Sequence, residues 1–158
     1  MKFLAIDPSS TVSGYAVFED DTLLAWGEID TKKVGYSHRF SFITGELEKL
    51  YAKHGFTEVA CERAIRFAGR RVAALEVAVQ GIKGWAKENK LSFVYYSPSS
   101  WKRSVVGKGN ADKETVAEAA HLIYKQLPRV SSHITDAVAI GSHHLSKRNL
   151  LRLSKERE

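Results

Sequence analysis

The stretch Lys2-Phe3-Leu4-Ala5-Ile6-Asp7-Pro8-Ser9-Ser10-Thr11, followed by Val12-Ser13-Gly14-Tyr15-Ala16-Val17-Phe18, decides how the rest of the chain is read. Phe3 to Ile6 form an apolar run that ends on a carboxylate, Asp7, and Pro8 and Ser9 stop it. A short apolar run bounded in this way reads as a strand buried on both faces. Asp20-Asp21 then separates two further apolar stretches, which predicts a hairpin. The opening is thus a central strand that delivers Asp7 to its carboxyl end, with two antiparallel strands behind it. Open α/β sheets bind ligands at that end of their strands. Taken alone, Asp7 reads equally well as the residue that starts the Pro8-Ser9-Ser10 turn.

Working outward, Phe40, Ile43, Leu47, Leu50 and Tyr51 recur at helical spacing. They predict a helix from about His38 to His54, capped by Ser37 and ended by Gly55. Phe56 to Cys61 is the next apolar strand, and it too terminates on an acid, Glu62. Strand, helix, strand implies a right-handed crossover, so this strand runs parallel to the first. Asp7 and Glu62 then share one edge of the sheet.

The basic segment Arg63 to Gly69 leads into a helix of about residues 69–89 with two apolar faces. Val72, Leu75, Val79 and Ile82 lie on one face, with Ala74, Val77, Ala78, Gly81 and Trp85 beside it. One face suits the sheet and the other a second subunit, giving a homodimer, or else the helix is sunk in a thick core. Leu91 to Tyr96 reads as a fifth strand, stopped by Ser97-Pro98-Ser99-Ser100. A helix over Ala111–Gln126, with Asp112 in its first turn, precedes Pro128. The last helix runs from about His133 to Leu145 or beyond, and the basic tail 146–158 is expected to fray. The chain reads as a single α/β domain over residues 1–158.

The net charge of +6 is unevenly spread. Arg63, Arg66, Arg70 and Arg71 form one cluster, Lys102, Arg103, Lys108 and Lys113 a second, and Lys147, Arg148, Arg152, Lys155 and Arg157 a third. Clustered cations suit a polyanion, because phosphate contacts release counterions. The lone Cys61 excludes an intramolecular disulfide and suits a reducing compartment such as the cytoplasm. It falls in a strand pattern and reads as a buried small hydrophobe. No run is long and apolar enough to span a bilayer, and Asp7 interrupts any signal-peptide pattern.

His133 and Asp136, three residues apart at the start of the last helix, share a face. The apolar Ala137-Val138-Ala139-Ile140 that follows pins this helix to the sheet, so Asp136 is an acid at the rim of a buried segment. An unpaired charge there is costly, and a bound cation offsets the cost. Asp7, Glu62 and Asp136 come from separate elements and form a hard-oxygen set, which suits Mg²⁺ or Mn²⁺ far better than zinc.

Four pieces now resemble one family, the RuvC-type Holliday junction resolvases of the RNase H-like superfamily. They are Ile6-Asp7-Pro8-Ser9 with Gly14, the strand-end Glu62, the segment Trp101-Lys102-Arg103-Ser104-Val105-Val106-Gly107-Lys108-Gly109-Asn110-Ala111-Asp112-Lys113, and His133-Ile134-Thr135-Asp136-Ala137-Val138-Ala139-Ile140. The resemblance implies a five-stranded mixed sheet (three antiparallel strands, then parallel ones) flanked by helices, two divalent ions per site, a homodimer, and cleavage of four-way DNA junctions. It implies that Asp7, Glu62, His133 and Asp136 are metal ligands, and that Lys102 and Lys113 face the backbone near the scissile phosphate. Arg63, Arg66, Arg70, Arg71, Arg103 and Lys108 are further candidates for gripping the DNA, and Phe67, Tyr96 and Trp101 read either as stacking surfaces or, as such residues more often are, as core. One position departs from the family: the place of its aromatic wedge holds Ile65, leaving Phe67 as the alternative.

Three other readings stay open, the last-ranked being an actin-like phosphotransferase, which shares the early Asp7 and the sheet order but needs a second domain and glycine-rich phosphate loops that this sequence lacks. A nuclease of the same fold acting on other branched, single-stranded or RNA substrates would keep the acids. A DNA-binding module without catalysis would keep the basic clusters and need no aligned carboxylates.

Overall fold

The computed structural model describes residues 1–64 and 73–157. Strands β1 (Lys2–Asp7), β2 (Val12–Glu19) and β3 (Thr22–Asp30) form an antiparallel meander. Helix α1 (Arg39–His54) leads to β4 (Glu58–Glu62), α2 (Ala73–Glu88) to β5 (Ser92–Tyr96), and α3 (Pro98–Val106), α4 (Lys113–Ile123) and α5 (Ser132–Lys155) follow. The sheet order is β3-β2-β1-β4-β5, with β4 parallel to both β1 and β5. This is the mixed five-stranded sheet expected, and Asp20, at φ 50°, makes the left-handed turn of the β2–β3 hairpin.

Alternation along the strands assigns side chains to two layers. Phe3 and Ala5 of β1, Ala16 and Phe18 of β2 and Ala60 of β4 pack with α3, α4 and α5. Leu4, Ile6, Val17, Val59 and Cys61 take the other face, against α1 and α2. Phe3 through Ile6 are all at 0% exposure, the double burial that their continuous apolar run anticipated. Cys61 sits within this core, where burial pushes its thiol well up, as expected of a small hydrophobe.

Several local expectations change. Ser37 does not cap α1; it lies in a 3₁₀ turn, Tyr36–His38, that feeds the helix directly. Gly55 ends α1 in the left-handed conformation, as its sequence position suggested. Ser97-Pro98-Ser99-Ser100 does more than stop β5. Ser97 Oγ accepts the Ser100 amide and Pro98 opens α3, so the segment is a helix start as well as a strand stop. Asp112 is the N-cap of α4, its carboxylate accepting from the Thr115 amide at 2.8 Å, so the helix begins at Lys113 and not Ala111. It ends at Ile123 rather than Gln126. The long α5 continues to Lys155, so most of the tail expected to fray is helical, with Leu150, Leu151 and Leu153 exposed. Among the described residues, no helix is long and apolar enough to cross a membrane.

Two glycines let helices approach closely. A Cβ at Gly141 of α5 would overlap the Phe18 ring, and one at Gly14 of β2 would overlap the backbone carbonyl of His133.

Candidate nuclease site at the strand ends

The alternation that places Phe3 and Ala5 toward α5 places Asp7 there as well. In β4, Ala60 faces α5, and Glu62 follows it two residues later. Parallel pairing of β1 with β4 brings both acids to the same sheet edge. Gly14 pairs with Asp7 across the β1–β2 ladder and also backs onto His133. That double contact sets the first turn of α5, which carries His133 and Asp136, over the end of β1.

The electrostatics follow from this crowding. Burial, then the charges of Glu62 and Asp136, hold the Asp7 carboxyl well above the usual range, while Lys113 and Lys102 pull it down. Glu62 is raised by burial and by Asp136, against the hydrogen bond that the Trp101 indole donates to it. Asp136 is raised by burial and moderated by Lys113, Lys102 and His133. Its Oδ1 is buried without a hydrogen-bond partner. An orphaned carboxylate oxygen in a low-dielectric pocket calls for a cation or a proton.

Asp7, Glu62, Asp136, His133, Lys102 and Lys113 are therefore one electrostatic neighbourhood. It is not a closed cage: among the described residues, no group of three or more His, Cys, Asp or Glu side chains stands ready to hold a metal ion. The chemistry of the donors nevertheless fits a hard dication, since the acids supply only oxygen and one of those oxygens lacks a partner.

The remaining basic candidates divide. Arg63 leaves the acid pocket; its guanidinium lies 4.7 Å from the Tyr95 ring centroid, on the α1–α2 side of the sheet. Arg103 and Lys108 are exposed on α3 and in the loop after it. Ile65, Arg66, Phe67, Arg70 and Arg71 lie outside the described residues.

Two of the aromatic candidates take the core alternative and not the stacking one. Trp101 is 1% exposed and so offers no surface for stacking on DNA; its indole Nε1 instead donates to Glu62 Oε2 at 2.8 Å. Tyr96 turns its hydroxyl inward to His144 Nδ1, 2.7 Å away, and burial with the Glu58 charge pushes it up to about 12. Sequence reasoning missed this interior polar group, in which His144 Nε2 also lies 3.2 Å from Glu58 Oε1. The signal was available in the parity of β5, since Val94 and Tyr96 face the α5 layer.

Comparison with known proteins follows the same geometry. The family model described as Crossover junction endodeoxyribonuclease RuvC matches residues 3–144. A protein of that description from Akkermansia muciniphila is 34% identical over 151 residues, covering 92% of this chain and 90% of the relative. The solved structure of Thermus thermophilus RuvC matches with a TM-score of 0.79 at 23% identity, covering 94% of this chain and 96% of that one. The same organism's RuvC in complex with Holliday junction substrate matches with a TM-score of 0.77 at 25% identity, covering 91% and 92%.

Proposed function

Since the chain belongs to the RuvC family of crossover junction endodeoxyribonucleases, we propose that it resolves four-way DNA junctions by hydrolysing phosphodiester bonds at the Asp7–Glu62–Asp136 pocket. The observation that carries the site assignment is the buried, unpartnered Oδ1 of Asp136 beside two strand-end acids that its charge raises.

Asp7, Glu62 and Asp136 would hold divalent cations, with His133 beside Asp136 as a fourth ligand. Mg²⁺ or Mn²⁺, two per site, would supply Lewis-acid polarisation of the phosphate and a water acidic enough to ionise near neutral pH. The chain's own residues do the rest. The buried acids fix charge in a pocket poor in competing water. Lys102 and Lys113, whose charges reach the acid pocket, offset the negative charge that builds on the phosphate in the transition state. Exposed Arg103 and Lys108 flank it and suit contacts with the DNA backbone. Such chemistry leaves a 5′-phosphate on the product, and it belongs in the cytoplasm of a bacterial or phage-infected cell.

A homodimer through α2 accompanies this reading. Val77 is 59% exposed on that helix, next to Phe40 at 39% and Tyr36 at 69%. A junction offers two equivalent strands to cut, and a two-fold pair of sites matches them. Sedimentation velocity should give a dimer that Val77→Asp converts to a monomer.

The test of function is purified protein on a synthetic mobile four-way junction with Mg²⁺ or Mn²⁺, read on a denaturing gel. Flaps, RNA hybrids and single strands run alongside. Paired cuts in the junction, lost with EDTA, are expected. Equal cutting of all substrates would make the protein a broader nuclease, and binding without cutting in either metal would make it a DNA-binding module.

A further inference from the structure

Among the described residues, Trp101 is the largest side chain with under 2% exposure, and the mechanism above leaves it unused. It sits on α3, whose start is set by Ser97 and Pro98, and packs into the core layer shared with Ala60, Ile134 and Ala137. The ring is thus held by three elements of the fold. Its Nε1 donates to Glu62 Oε2 at 2.8 Å, while the Lys102 ammonium lies 5.5 Å from the ring centroid.

An indole has one donor and no acceptor, so this contact has one direction: the N–H can serve only the acid. A buried indole that found no acceptor would pay the cost of an unmade hydrogen bond. Glu62 thereby has one oxygen committed, and among the described residues nothing donates to the other. The same ring offers its π face to the cation at Lys102.

We propose that Trp101 is a positioning residue for cleavage, fixing Glu62 so that a single oxygen, Oε1, is presented to the cation and holding Lys102 beside it. The proposal rests on the assignment of Glu62 to the ion-holding pocket. Partners of this kind, which orient a ligand without touching the metal, commonly change metal affinity or activity by about 10–100-fold when removed.

Trp101→Phe keeps the aromatic bulk and deletes the N–H. The expected result is Mn²⁺ binding weakened roughly tenfold or more, measured calorimetrically on the DNA-free protein. The Mn²⁺ concentration for half-maximal junction cleavage should rise in parallel, with the rate at saturating Mn²⁺ within about twofold of the parent. A change in packing alone would not be recovered by excess metal.

Should Trp101→Phe fail to fold, the parent protein still provides a readout. In the ¹⁵N–¹H spectrum its Trp101 indole signal, assigned by elimination with Trp26→Phe and Trp85→Phe, should shift during Mg²⁺ titration, as its acceptor gains a second partner. An unmoved signal overturns the proposal. Glu62→Gln separates the two levels of the argument. If that variant still cuts, the site reading fails and takes this one with it. If it is dead while Trp101→Phe binds Mn²⁺ like the parent, only the role of Trp101 falls.

Discussion

Gly14 of β2 lies directly beneath the backbone of His133, so close that a methyl group on Gly14 would occupy the space of the His133 carbonyl. The same glycine is the ladder partner of Asp7. One residue therefore sets the distance between the end of β1 and the start of α5, and with it the approach of Asp136 to Asp7.

Gly14→Ala should consequently be far worse than an ordinary strand glycine replacement. The added carbon meets backbone, which cannot rotate away, so α5 must shift or the fold must strain by about 3 kcal/mol. Urea denaturation should show that loss, and cleavage should fall even below the denaturation midpoint because the acids no longer converge.

Asp7→Asn should remove cutting by roughly a thousandfold while leaving junction binding within about threefold, because the charge lost serves chemistry more than grip. Without metal, the variant should melt at a higher temperature than the parent. Asp7 is held well above its ordinary value of 3.8 by burial and by the charges of Glu62 and Asp136, so in chelator its ionised form costs stability. Gel assays and calorimetry in chelator check the two halves separately.

The pH dependence carries the same sign. A carboxyl whose folded pKa is raised contributes stability that is fully present below its unfolded value and lost as pH rises through the folded one. All three acids are raised. In chelator, the melting advantage of Asp7→Asn over the parent should therefore widen as pH rises above the ordinary carboxyl value of 3.8. Glu58, lowered by its contact with His144, changes both proteins alike and cancels in that difference. Junction cleavage at low Mn²⁺ should show an acid limb above the ordinary carboxylate range, moving down as Mn²⁺ is raised.

Lys113 opens α4 just after the Asp112 cap, exposed to solvent yet close enough to lower the pKa of all three acids. Lys113→Ala should slow single-turnover cleavage by about 10–100-fold and weaken junction binding by less than about fivefold. Alanine keeps the helix start intact. Equal losses in rate and affinity would reduce Lys113 to a backbone contact.

Legibility in the sequence was uneven for physical reasons. β1 was readable because a doubly buried strand needs a continuous apolar run, and Phe3 to Ile6 supply one. The order of strand and helix between Asp7 and Glu62 dictates parallel pairing, which by itself aligns the two acids. Cap positions were less readable: Ser37 has the right chemistry for a helix start, yet a 3₁₀ turn took its place. Ser97 had the same chemistry, was read as a stop, and opened α3.

What the amino-acid order settled by itself was periodic: which residues face the core, where the strands end, and that acids stand at two of those ends. Family likeness then supplied roles for the acids and the basic residues around them. Only the three-dimensional packing decided which partner each polar group met. Trp101 is apolar enough to be sorted to the core by any hydropathy argument, but whether its single N–H finds Glu62 depends on how α3 crosses the end of β4. His144 likewise meets Tyr96 and Glu58 through the placement of α5 on the sheet. Hydrophobic burial is nearly directionless and can be read from composition and spacing, whereas a hydrogen bond requires two atoms about 3 Å apart at a suitable angle, a condition met only once the chain has folded.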